Sequence, residues 1–384
     1  MDNSDEILEV HKKFKGKIAT LVTTPVTSKK ELSIIYTPGV AVVSSAIAQD
    51  KNLVFDYTIK GHTVAIVSDG TAVLGLGNIG PEAAMPVMEG KAVLLKTFAD
   101  IDAFPICLNT QDPQQIINTV KYLAPTFGAI NLEDISAPRC FLVEESLQDL
   151  GIPVMHDDQH GTAVIVYAGL INAAKAAQKE LKNLQIVING AGAAGNGVTK
   201  MLVSEVGNII VLDSKGIISK NRKDLDSYKK ELAKITNKEN IDGDLAAALI
   251  GSDVFIGVSK PNLLDPKNIS SMNNKPIIFA LANPTPEIMP DLAKNAGAFI
   301  VATGRSDFSN QINNSLAFPG IFKGALSVRA GRITNEMLIA AAKAIANLVK
   351  DPSPDNIIPG PFEKDLAIIV AAAVSKAFHN PKAV

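Results

Sequence analysis

The stretch LQIVINGAGAAGNGVTKMLV, residues 184–203, decides the fold of this chain. A short apolar run rich in β-branched residues leads directly into glycines at 190, 192 and 195, in G-x-G-x-x-G spacing, and then into a helical pattern. Gly190 permits the tight turn, Gly192 lets the backbone approach a pyrophosphate, and Gly195 allows the helix to pack closely on the strand. The helix N-terminus then faces the phosphate charge. The stretch predicts a βα turn that binds a dinucleotide.

An acid in the next predicted strand strengthens this prediction. Asp213 ends the run NIIVLD, eighteen residues beyond Gly195, where an acceptor for ribose hydroxyls belongs. The alternative, an ordinary glycine-rich turn with a strand-terminal acid, is less favoured because further strands follow in regular alternation with helices. We therefore predict that a nicotinamide dinucleotide contacts the residues of the turn and this acid: Gly190, Gly192, Ala193, Ala194, Gly195 and Asp213.

The rest of the chain indicates two domains. Its 384 residues exceed one ordinary core. Short buried-type strands alternate with helices beyond about residue 160, which is typical of a parallel sheet covered on both faces. We predict an α/β protein: an N-terminal α/β substrate and metal domain over residues 1–160, and a Rossmann-like doubly wound parallel-sheet domain over 161–384. The last helices are expected to pack back across both halves.

Composition excludes several classes of function. Lys and Arg number 37 against 39 Asp and Glu, and no basic block stands out, so nucleic acid is not an expected partner. The apolar run near the C-terminus is too short to span a bilayer, and the charged N-terminus has no apolar core of a signal peptide. The two cysteines show no C-x-x-C spacing and read as free thiols in a reducing compartment. We expect a cytoplasmic protein with no membrane partner.

The segment IPVMHDDQHGTAV, residues 152–164, raises a choice between two kinds of metal site. His156 and His160 have the spacing of zinc ligands on a helix, whereas Asp157 and Asp158 are oxygen ligands that suit Mg²⁺ or Mn²⁺. The run before His156 predicts a strand that leads into a turn, where these histidines would not form a zinc pair. We therefore favour an oxygen site and interpret the histidines as turn residues with hydrogen-bonded rings.

Two further acids support the oxygen site. Glu133 and Asp134 end a predicted strand in INLEDISAP, and Asp158 follows another strand 24 residues later. Each acid alone would more often be a solvated turn residue or a helix cap. Carboxylates that converge at strand ends beside a dinucleotide domain form a hard, oxygen-only site.

Six segments, in order along the chain, resemble the malic enzyme family in its short bacterial form: LSIIYTPGVA, SDGTAVLGLGNIGPEAAMPVMEGKAVLLK, INLEDISAPRCF, IPVMHDDQHGTA, ALANPTPE and NNSLAFPG. The resemblance implies oxidative decarboxylation of malate to pyruvate and carbon dioxide, with reduction of NAD or NADP, in the presence of Mg²⁺ or Mn²⁺. It also implies a homodimer or higher homo-oligomer. By this resemblance, Glu133, Asp134 and Asp158 are the metal ligands.

The resemblance assigns the remaining roles as well. Lys91 corresponds to the general base, Asp157 to an acid close to that lysine, and Tyr36 to the acid that protonates the enol carbon. A lysine acts as a base when its pKa is lowered, and we expect burial and a bound metal to lower the pKa of Lys91. Lys96 lies five residues further on and is expected on another face of the helix.

Asparagines correspond to positions that contact substrate or cofactor in the family: Asn283 for both, and Asn313 and Asn314 for substrate. The chain departs from longer relatives at Thr71 and Ala72, where those relatives carry an arginine that binds a malate carboxylate.

For the cofactor, Asp213 favours NAD by repelling the 2′-phosphate of NADP. Lys215 could pair with that phosphate, so NADP is also possible.

Two alternative functions stay open at this stage. An amino-acid dehydrogenase also pairs a lysine-bearing first domain with a Rossmann domain, but it would not need Glu133, Asp134 and Asp158. A non-catalytic nucleotide-sensing relative would keep the fold without turnover. Metal dependence distinguishes the first alternative, and a turnover assay distinguishes the second.

Overall fold

Two sheets organise the chain in this computed structural model, which describes residues 4–73 and 75–379. The first sheet is parallel, with strand order β2-β1-β3-β4. Its strands are β1 Thr63–Ser68, β2 Asp102–Cys107, β3 Ala129–Leu132 and β4 Val154–His156. The helices of this half are α1 Ser4–Phe14, α2 Lys29–Ile35, α3 Gly39–Gln49, α4 Val54–Tyr57, α5 Pro81–Ala99, α6 Pro113–Leu123 and α7 Arg139–Glu145.

The second sheet has six strands in the order β10-β9-β8-β5-β6-β7. All its neighbouring pairs are parallel except β6 with β7, which is antiparallel. The strands are β5 Gln185–Asn189, β6 Asn208–Asp213, β7 Gly216–Ile217, β8 Val254–Gly257, β9 Ile277–Ala280 and β10 Ile300–Thr303. Counted along the domain, this is the 3-2-1-4-5-6 order of a doubly wound dinucleotide fold, so the predicted fold class is confirmed.

Helices cover the second sheet and join the two halves. They are α8 Asp157–Ala177, α9 Ala193–Leu202, α10 Ser227–Ile235, α11 Leu245–Leu249, α12 Pro266–Ile269, α13 Pro290–Asn295, α14 Phe318–Ser327, α15 Asn335–Ala346 and α16 Leu366–His379. The predicted boundary at residue 160 lies in the first turn of α8, which packs against β4 on one side and α9 on the other. The division into domains 1–160 and 161–384 stays a prediction. The first residues of the first domain, 1–3, and the last residues of the second, 380–384, lie outside the described residues.

The C-terminal helices pack back onto the first half, as the sequence indicates. Helices α14 and α16 both contact α5, and the Lys323 ammonium donates to the Ala99 carbonyl at 2.7 Å. Glycines in α14 let α16 approach closely, since a Cβ at Gly320 would lie 2.5 Å from the Cβ of Val370. This packing places α14 beside α5, the helix that carries Lys91.

The N-terminal helices stand apart from this core. Helices α2 and α3 contribute no buried residue. Together they form the stretch Lys29–Gln49, which has the length and hydropathy of a membrane span by composition alone. The stretch is divided by Tyr36, Thr37 and Pro38, where α2 ends and α3 has not yet begun.

Candidate active site

The acids predicted from the sequence lie at the carboxyl ends of β3 and β4. The order of the first sheet reverses direction between β1 and β3, and the crevice outside such a switch point is where α/β folds bind ligands. Glu133 and Asp134 follow β3, while Asp157 and Asp158 follow β4 as the first residues of α8. Acids in a first helical turn are stabilised by the helix dipole. One oxygen from each of Glu133, Asp134 and Asp158 lies within 4.8 Å of the others.

Local backbone geometry brings these carboxylates together. Asp134 has a φ of 54°, a left-handed conformation that aspartate tolerates better than most residues. Its N–H donates to the Asp158 carboxylate at 2.9 Å. Gly161 allows another close approach, because a Cβ there would lie 1.8 Å from an oxygen of Asp157.

Lys91 is the cation inside this acid cluster. It projects from α5, and its side chain is 10% exposed. The ammonium lies 3.0 Å from the Glu133 carboxylate and donates a short hydrogen bond to Asp157. From the second half, the Asn314 side-chain oxygen lies at 3.4 Å, and the Phe318 ring centroid lies 4.4 Å from the ammonium. The site is therefore assembled from both halves of the chain.

The charges in the cluster do not balance. Lys91 pairs with the buried carboxylates of Glu133 and Asp157, and two further carboxylates, those of Asp134 and Asp158, lie close to Glu133, so that one ammonium stands against four carboxylates. Burial raises the pKa of Glu133 to about 7 and the pKa of both Asp157 and Asp158 to about 6. A divalent cation would reduce this excess of negative charge, and an oxygen-only donor set suits Mg²⁺ or Mn²⁺. The residues present therefore fit the predicted metal.

The predicted lowering of the Lys91 pKa concerns the site with its metal bound, and it stays a prediction. Burial does lower the pKa of Lys91, but the charges of Asp157, Glu133 and Asp158 outweigh it, so the pKa is raised. The apolar neighbours on α5 are apparent from the sequence, whereas these three carboxylates come from two other parts of the fold.

The histidines are placed differently from the prediction. Helix α8 begins at Asp157, so His160 lies in its first turn, and the expected turn is wrong. The ring of His160 pairs with Glu144 at 3.0 Å, whereas that of His156 is fully buried and lies 3.5 Å from Asp158. Burial lowers the pKa of His156 to about 4, so its ring is neutral near pH 7. The spacing of four residues does not produce a shared zinc site.

Glu144 is a buried residue of this region that the sequence analysis missed. Besides His160, its carboxylate accepts the backbone N–H of His156 at 2.8 Å and the side-chain amide of Gln159 at 2.9 Å. It therefore holds the junction of β4 and α8, which carries Asp157 and Asp158. Nothing in the helical pattern of α7 distinguishes this acid from a solvated one.

The three predicted asparagines have different surroundings. Asn314 reaches Lys91, as described above, whereas the Asn313 side chain accepts from the backbone N–H of Ser315 at 3.0 Å and caps a short helix. Asn283 lies where the halves meet. A Cβ added to Gly75 would lie 2.0 Å from the backbone carbonyl oxygen of Asn283. A Cβ added to Gly304 would lie 2.7 Å from its side-chain amide nitrogen.

Two other predicted positions lie away from the acid cluster. Tyr36 is 65% exposed, and among the described residues no hydrogen bond or ring contact joins it to the cluster. Lys96 lies on another face of α5 from Lys91, as expected, and pairs with Asp100 and Asp102 at 2.6 and 3.0 Å.

Thr71, the position where longer relatives carry an arginine, donates its hydroxyl to Asp69 at 2.6 Å. Arg139, which was not predicted as a site residue, lies 3.4 Å from the same acid.

The glycine-rich turn has the predicted strand–turn–helix context. Gly190, at a φ of +129°, directly follows β5, and Ala193 begins α9. A Cβ on Gly195 would lie 1.7 Å from the Gly190 carbonyl oxygen, whereas a Cβ on Gly192 would meet nothing within 4 Å. Gly192 instead faces a cavity of about 780 Å³. Residues that line this cavity include Gly190, Asp213, Ser214, Lys229 and Leu245.

Asp213, the predicted acceptor for ribose hydroxyls, is paired with two cations of its own domain. Its carboxylate is held by Arg222 at 2.7 Å and by Lys229 at 2.8 Å. Although burial raises the pKa of Asp213, these hydrogen bonds outweigh it and lower the pKa to about 2. Lys215 pairs with Asp224 at 2.9 Å rather than with Asp213.

Comparison with known proteins identifies the family of both halves. Residues 15–148 match the malic enzyme N-terminal domain, and residues 159–379 match the malic enzyme NAD-binding domain. The chain is 54% identical over 382 residues to a bifunctional malic/malolactic enzyme of Bacillus subtilis (strain 168), covering 98% of this chain and 93% of that relative. An NADP-dependent malic enzyme of Halomonas elongata is 44% identical, with 96% and 92% covered.

Structural similarity agrees with these matches. The crystal structure of an NAD-dependent malic enzyme from Thermotoga maritima superposes with a TM-score of 0.93 at 52% identity, covering 96% of this chain and 98% of that one. The similarity extends over both sheets and over the crevice that holds the acid cluster. The chain belongs to the malic enzyme family.

Proposed function

We propose that this chain catalyses the oxidative decarboxylation of malate to pyruvate and carbon dioxide, with reduction of NAD or NADP and a requirement for Mg²⁺ or Mn²⁺. The observation that carries the proposal is the buried cluster of Lys91 and the carboxylates, at a sheet switch point, in a chain of this family that also has a dinucleotide turn. Neither alternative function, amino-acid dehydrogenase or nucleotide sensor, accounts for this combination.

Glu133, Asp134 and Asp158 would hold the divalent cation. When bound, such a cation supplies Lewis-acid polarisation of the oxygens of the substrate. Lys91 would take the proton of the malate C2 hydroxyl after the extra proton of its own ammonium has passed to the carboxylate of Asp157, to which it donates. Asp157 holds the Lys91 ammonium by a short hydrogen bond, and Asn314 approaches it from the other half, so the amine has a fixed position. A positioned base is the requirement for this proton transfer.

The dinucleotide would lie along the second sheet, with its pyrophosphate at the turn of Gly190, Gly192 and Gly195. Its nicotinamide supplies the acceptor for the hydride that leaves C2 of malate. Asn283 lies at the contact between the two halves, so its amide can orient groups on either side of the crevice. Its contact with substrate and cofactor, and that of Asn313 with substrate, stay predictions.

The proposed oligomer is a homodimer that covers α2 and α3. Leu32, Ile34 and Val42 are 48%, 60% and 72% exposed, which leaves an apolar surface of the kind that monomers rarely present. A bilayer is a poorer partner, because the break before α3 would leave backbone groups unsatisfied in lipid. Tyr36 lies inside this surface, so its proposed role as the acid that protonates the enol carbon depends on how the second copy covers it. The predicted cytoplasmic location stays a prediction.

Light scattering coupled to gel filtration tests the dimer. Val42→Asp should convert a dimeric parent to monomer, whereas Ile250→Asp, at an equally exposed apolar residue of the other half, should not. A parent that is monomeric and sediments with lipid vesicles would contradict the dimer.

The test of the function is NAD(P)H formation from malate, followed by absorbance, with Mn²⁺ and then with excess chelator. The expected result is turnover that stops on chelation and returns with Mn²⁺ or Mg²⁺. Turnover that is indifferent to the chelator, or that requires an amino acid in place of malate, would contradict the proposal. Zn²⁺ should not substitute for Mn²⁺.

A further inference from the structure

We propose that a second cavity, behind the acid cluster, binds a small organic carboxylate with an apolar body, and that this ligand is an effector of metal binding. The cavity differs from the dinucleotide cavity, although Phe141 lines both. Among the described residues, those that line it do not include Lys91 or the four acids of the cluster. The effector role rests on the proposed function, because it takes those acids to hold a divalent cation.

The cavity lies where the two family domains meet. Its volume is about 370 Å³, which is within the range of small-molecule sites. Phe141 and Glu144 line it from the first matched domain, while Gln159, Lys200 and Asn335 line it from the second. Contacts between domains are common positions for ligand sites. A ligand here would touch both domains at once.

Much of the cavity wall is apolar. All of the apolar side chains in it except Ile333 are less than 5% exposed, so they lie at its inner end. Ligand sites typically combine such a lining with a few polar groups. The lining favours a ligand with a hydrocarbon body over an inorganic anion. The apolar residues are Phe141, Val154, Met155, Met201, Ile333 and Leu338.

Lys200 and Asn335 provide the polar groups at the outer end. Both residues are exposed and line the cavity. Within the described part of the chain, no hydrogen bond or ion pair occupies the Lys200 ammonium, and no hydrogen bond occupies the Asn335 side-chain amide. An ammonium and an amide N–H group can both donate to one carboxylate, and the bond from the ammonium is charge-assisted. A carboxylate is therefore the complementary group.

The other charged groups in the wall already have partners. The carboxylate of Glu144 pairs with the ring of His160 at 3.0 Å. The carboxylate of Glu145 accepts a hydrogen bond from the hydroxyl of Tyr228, but its negative charge stays uncompensated. Lys200 is thus the charged group of this wall that is left for an anion, and Glu145 opposes the same anion.

Glu144 connects this cavity to the acid cluster. It is 7% exposed, and its carboxylate accepts the backbone N–H of His156 at 2.8 Å and the side-chain amide of Gln159 at 2.9 Å. Asp157 and Asp158 lie between these two residues in the chain. The cavity and the acid cluster therefore lie on two sides of the same junction of β4 and α8.

Helix α9 is held closely against this junction. A Cβ on Gly197 would lie 2.4 Å from the carbonyl oxygen of Gln159, so the two helices are in backbone contact one turn before Lys200. A ligand bound to Lys200 and Asn335 would link α9 and α15 to the wall formed by α7. This link stabilises the arrangement in which the three carboxylates converge, so it should raise the affinity for a divalent cation. By linkage, the cation should raise the affinity for the ligand by the same factor.

Calorimetry tests the site with benzoate as the probe. Acetate keeps the charge and lacks the ring, whereas benzamide keeps the ring and lacks the charge. Each is titrated into the parent, Lys200→Met, Glu145→Gln and Lys175→Met. Lys175 lies in the last turn of α8, away from the cavity, and is a charge-matched control.

The parent and the Lys175 variant should bind benzoate at least about 10-fold tighter than acetate or benzamide. Lys200→Met should bind benzoate no better than benzamide. Glu145→Gln should bind benzoate about twofold tighter, because a like charge is removed. Loss of folding cannot produce this gain. Benzoate binding that survives in Lys200→Met, or that is lost equally in Lys175→Met, would overturn the site.

The effector role is tested by titrating Mn²⁺ with and without saturating benzoate. Benzoate should tighten Mn²⁺ binding to the parent about fivefold, and Mn²⁺ should tighten benzoate binding equally. Lys200→Met should bind Mn²⁺ as the parent does and should not respond to benzoate. An unchanged Mn²⁺ affinity in the benzoate-bound parent would overturn the effector role. Failure of the parent to bind Mn²⁺ without benzoate would instead overturn the proposed function.

Discussion

Two charge clusters, one beside each predicted ligand site, have opposite arrangements of charge. In the first half a single ammonium, that of Lys91, pairs with Glu133 and Asp157, and the carboxylates of Asp134 and Asp158 lie beside Glu133. In the second half a single carboxylate, that of Asp213, faces two cations. The central groups are similarly buried, at 10% and 8% exposure. Burial alone therefore does not distinguish the two clusters. They differ in the sign of the charges that surround the central group.

Uncompensated charge is costly in a buried setting, so each excess indicates the kind of ligand that completes the cluster. An excess of carboxylate oxygens calls for a hard cation, and an excess of guanidinium and ammonium donors calls for a phosphate. The comparison makes a prediction that neither cluster makes alone. Changes in one cluster should affect one class of ligand and leave the other unaffected.

The largest expected effect is that of Lys91→Met on turnover. Loss of a positioned general base should lower kcat by roughly 10²–10⁴-fold. The matched control is Lys96→Met on the same helix, where the lysine pairs with Asp100 and Asp102 near the surface. Steady-state assays with malate, with 5′-AMP binding as evidence of an intact second half, provide the measurement. Near-parental kcat in Lys91→Met would remove this lysine from the role of base.

Next in size is the effect of Glu133→Gln on metal binding. Removal of one of three converging carboxylates should weaken Mn²⁺ binding by at least about 10-fold, as losses around metal sites commonly do. Asp149→Asn, an exposed acid of the same half, should leave it unchanged. Calorimetric Mn²⁺ titration checks both, and His156→Gln should have a milder effect than Glu133→Gln. Stoichiometric zinc that is lost with His156 would contradict the oxygen site.

A smaller effect separates binding from folding in the dinucleotide turn. Gly195→Ala places a methyl group 1.7 Å from the Gly190 carbonyl oxygen and should destabilise the fold by about 1–3 kcal/mol. Gly192→Ala adds a methyl group that meets no protein atom within 4 Å, so it should leave the melting temperature unchanged and weaken nucleotide binding. Thermal melts together with 5′-AMP titrations test this pair. Equal losses of stability in both variants would show that Gly192 is structural.

The sequence was informative where function depends on strand ends. The parallel strands and their terminal residues Glu133, Asp134, Asp158 and Asp213 could be located because apolar runs end in acids at those positions, and parallel strands present their carboxyl ends at one edge. The start of α8 was missed because β4 leads into it without a loop. The apolar run up to Met155 gave no sign that His156 is followed at once by a helix.

The partners of these acids could not be predicted in the same way. Lys215 was the cation expected in the cofactor pocket because it is close to Asp213 in the chain, but Asp213 pairs with Arg222 and Lys229, nine and sixteen residues further on. The carboxylates that raise the pKa of Lys91 in the chain without a metal were missed for the same reason, since they follow β3 or lie on α8. Charge balance at a buried site is a property of tertiary structure.

Selectivity between the two clusters is the most direct test of this account. A single set of calorimetric titrations would measure Mn²⁺ and adenosine 2′,5′-bisphosphate binding to the parent, to Glu133→Gln and to Lys229→Met. The account predicts that Glu133→Gln loses affinity for Mn²⁺ and keeps affinity for the bisphosphate, while Lys229→Met does the reverse, each loss being about 10-fold or more. Loss of both ligands in either variant, or of neither, would contradict the claim that the excess charge of each cluster determines what it binds.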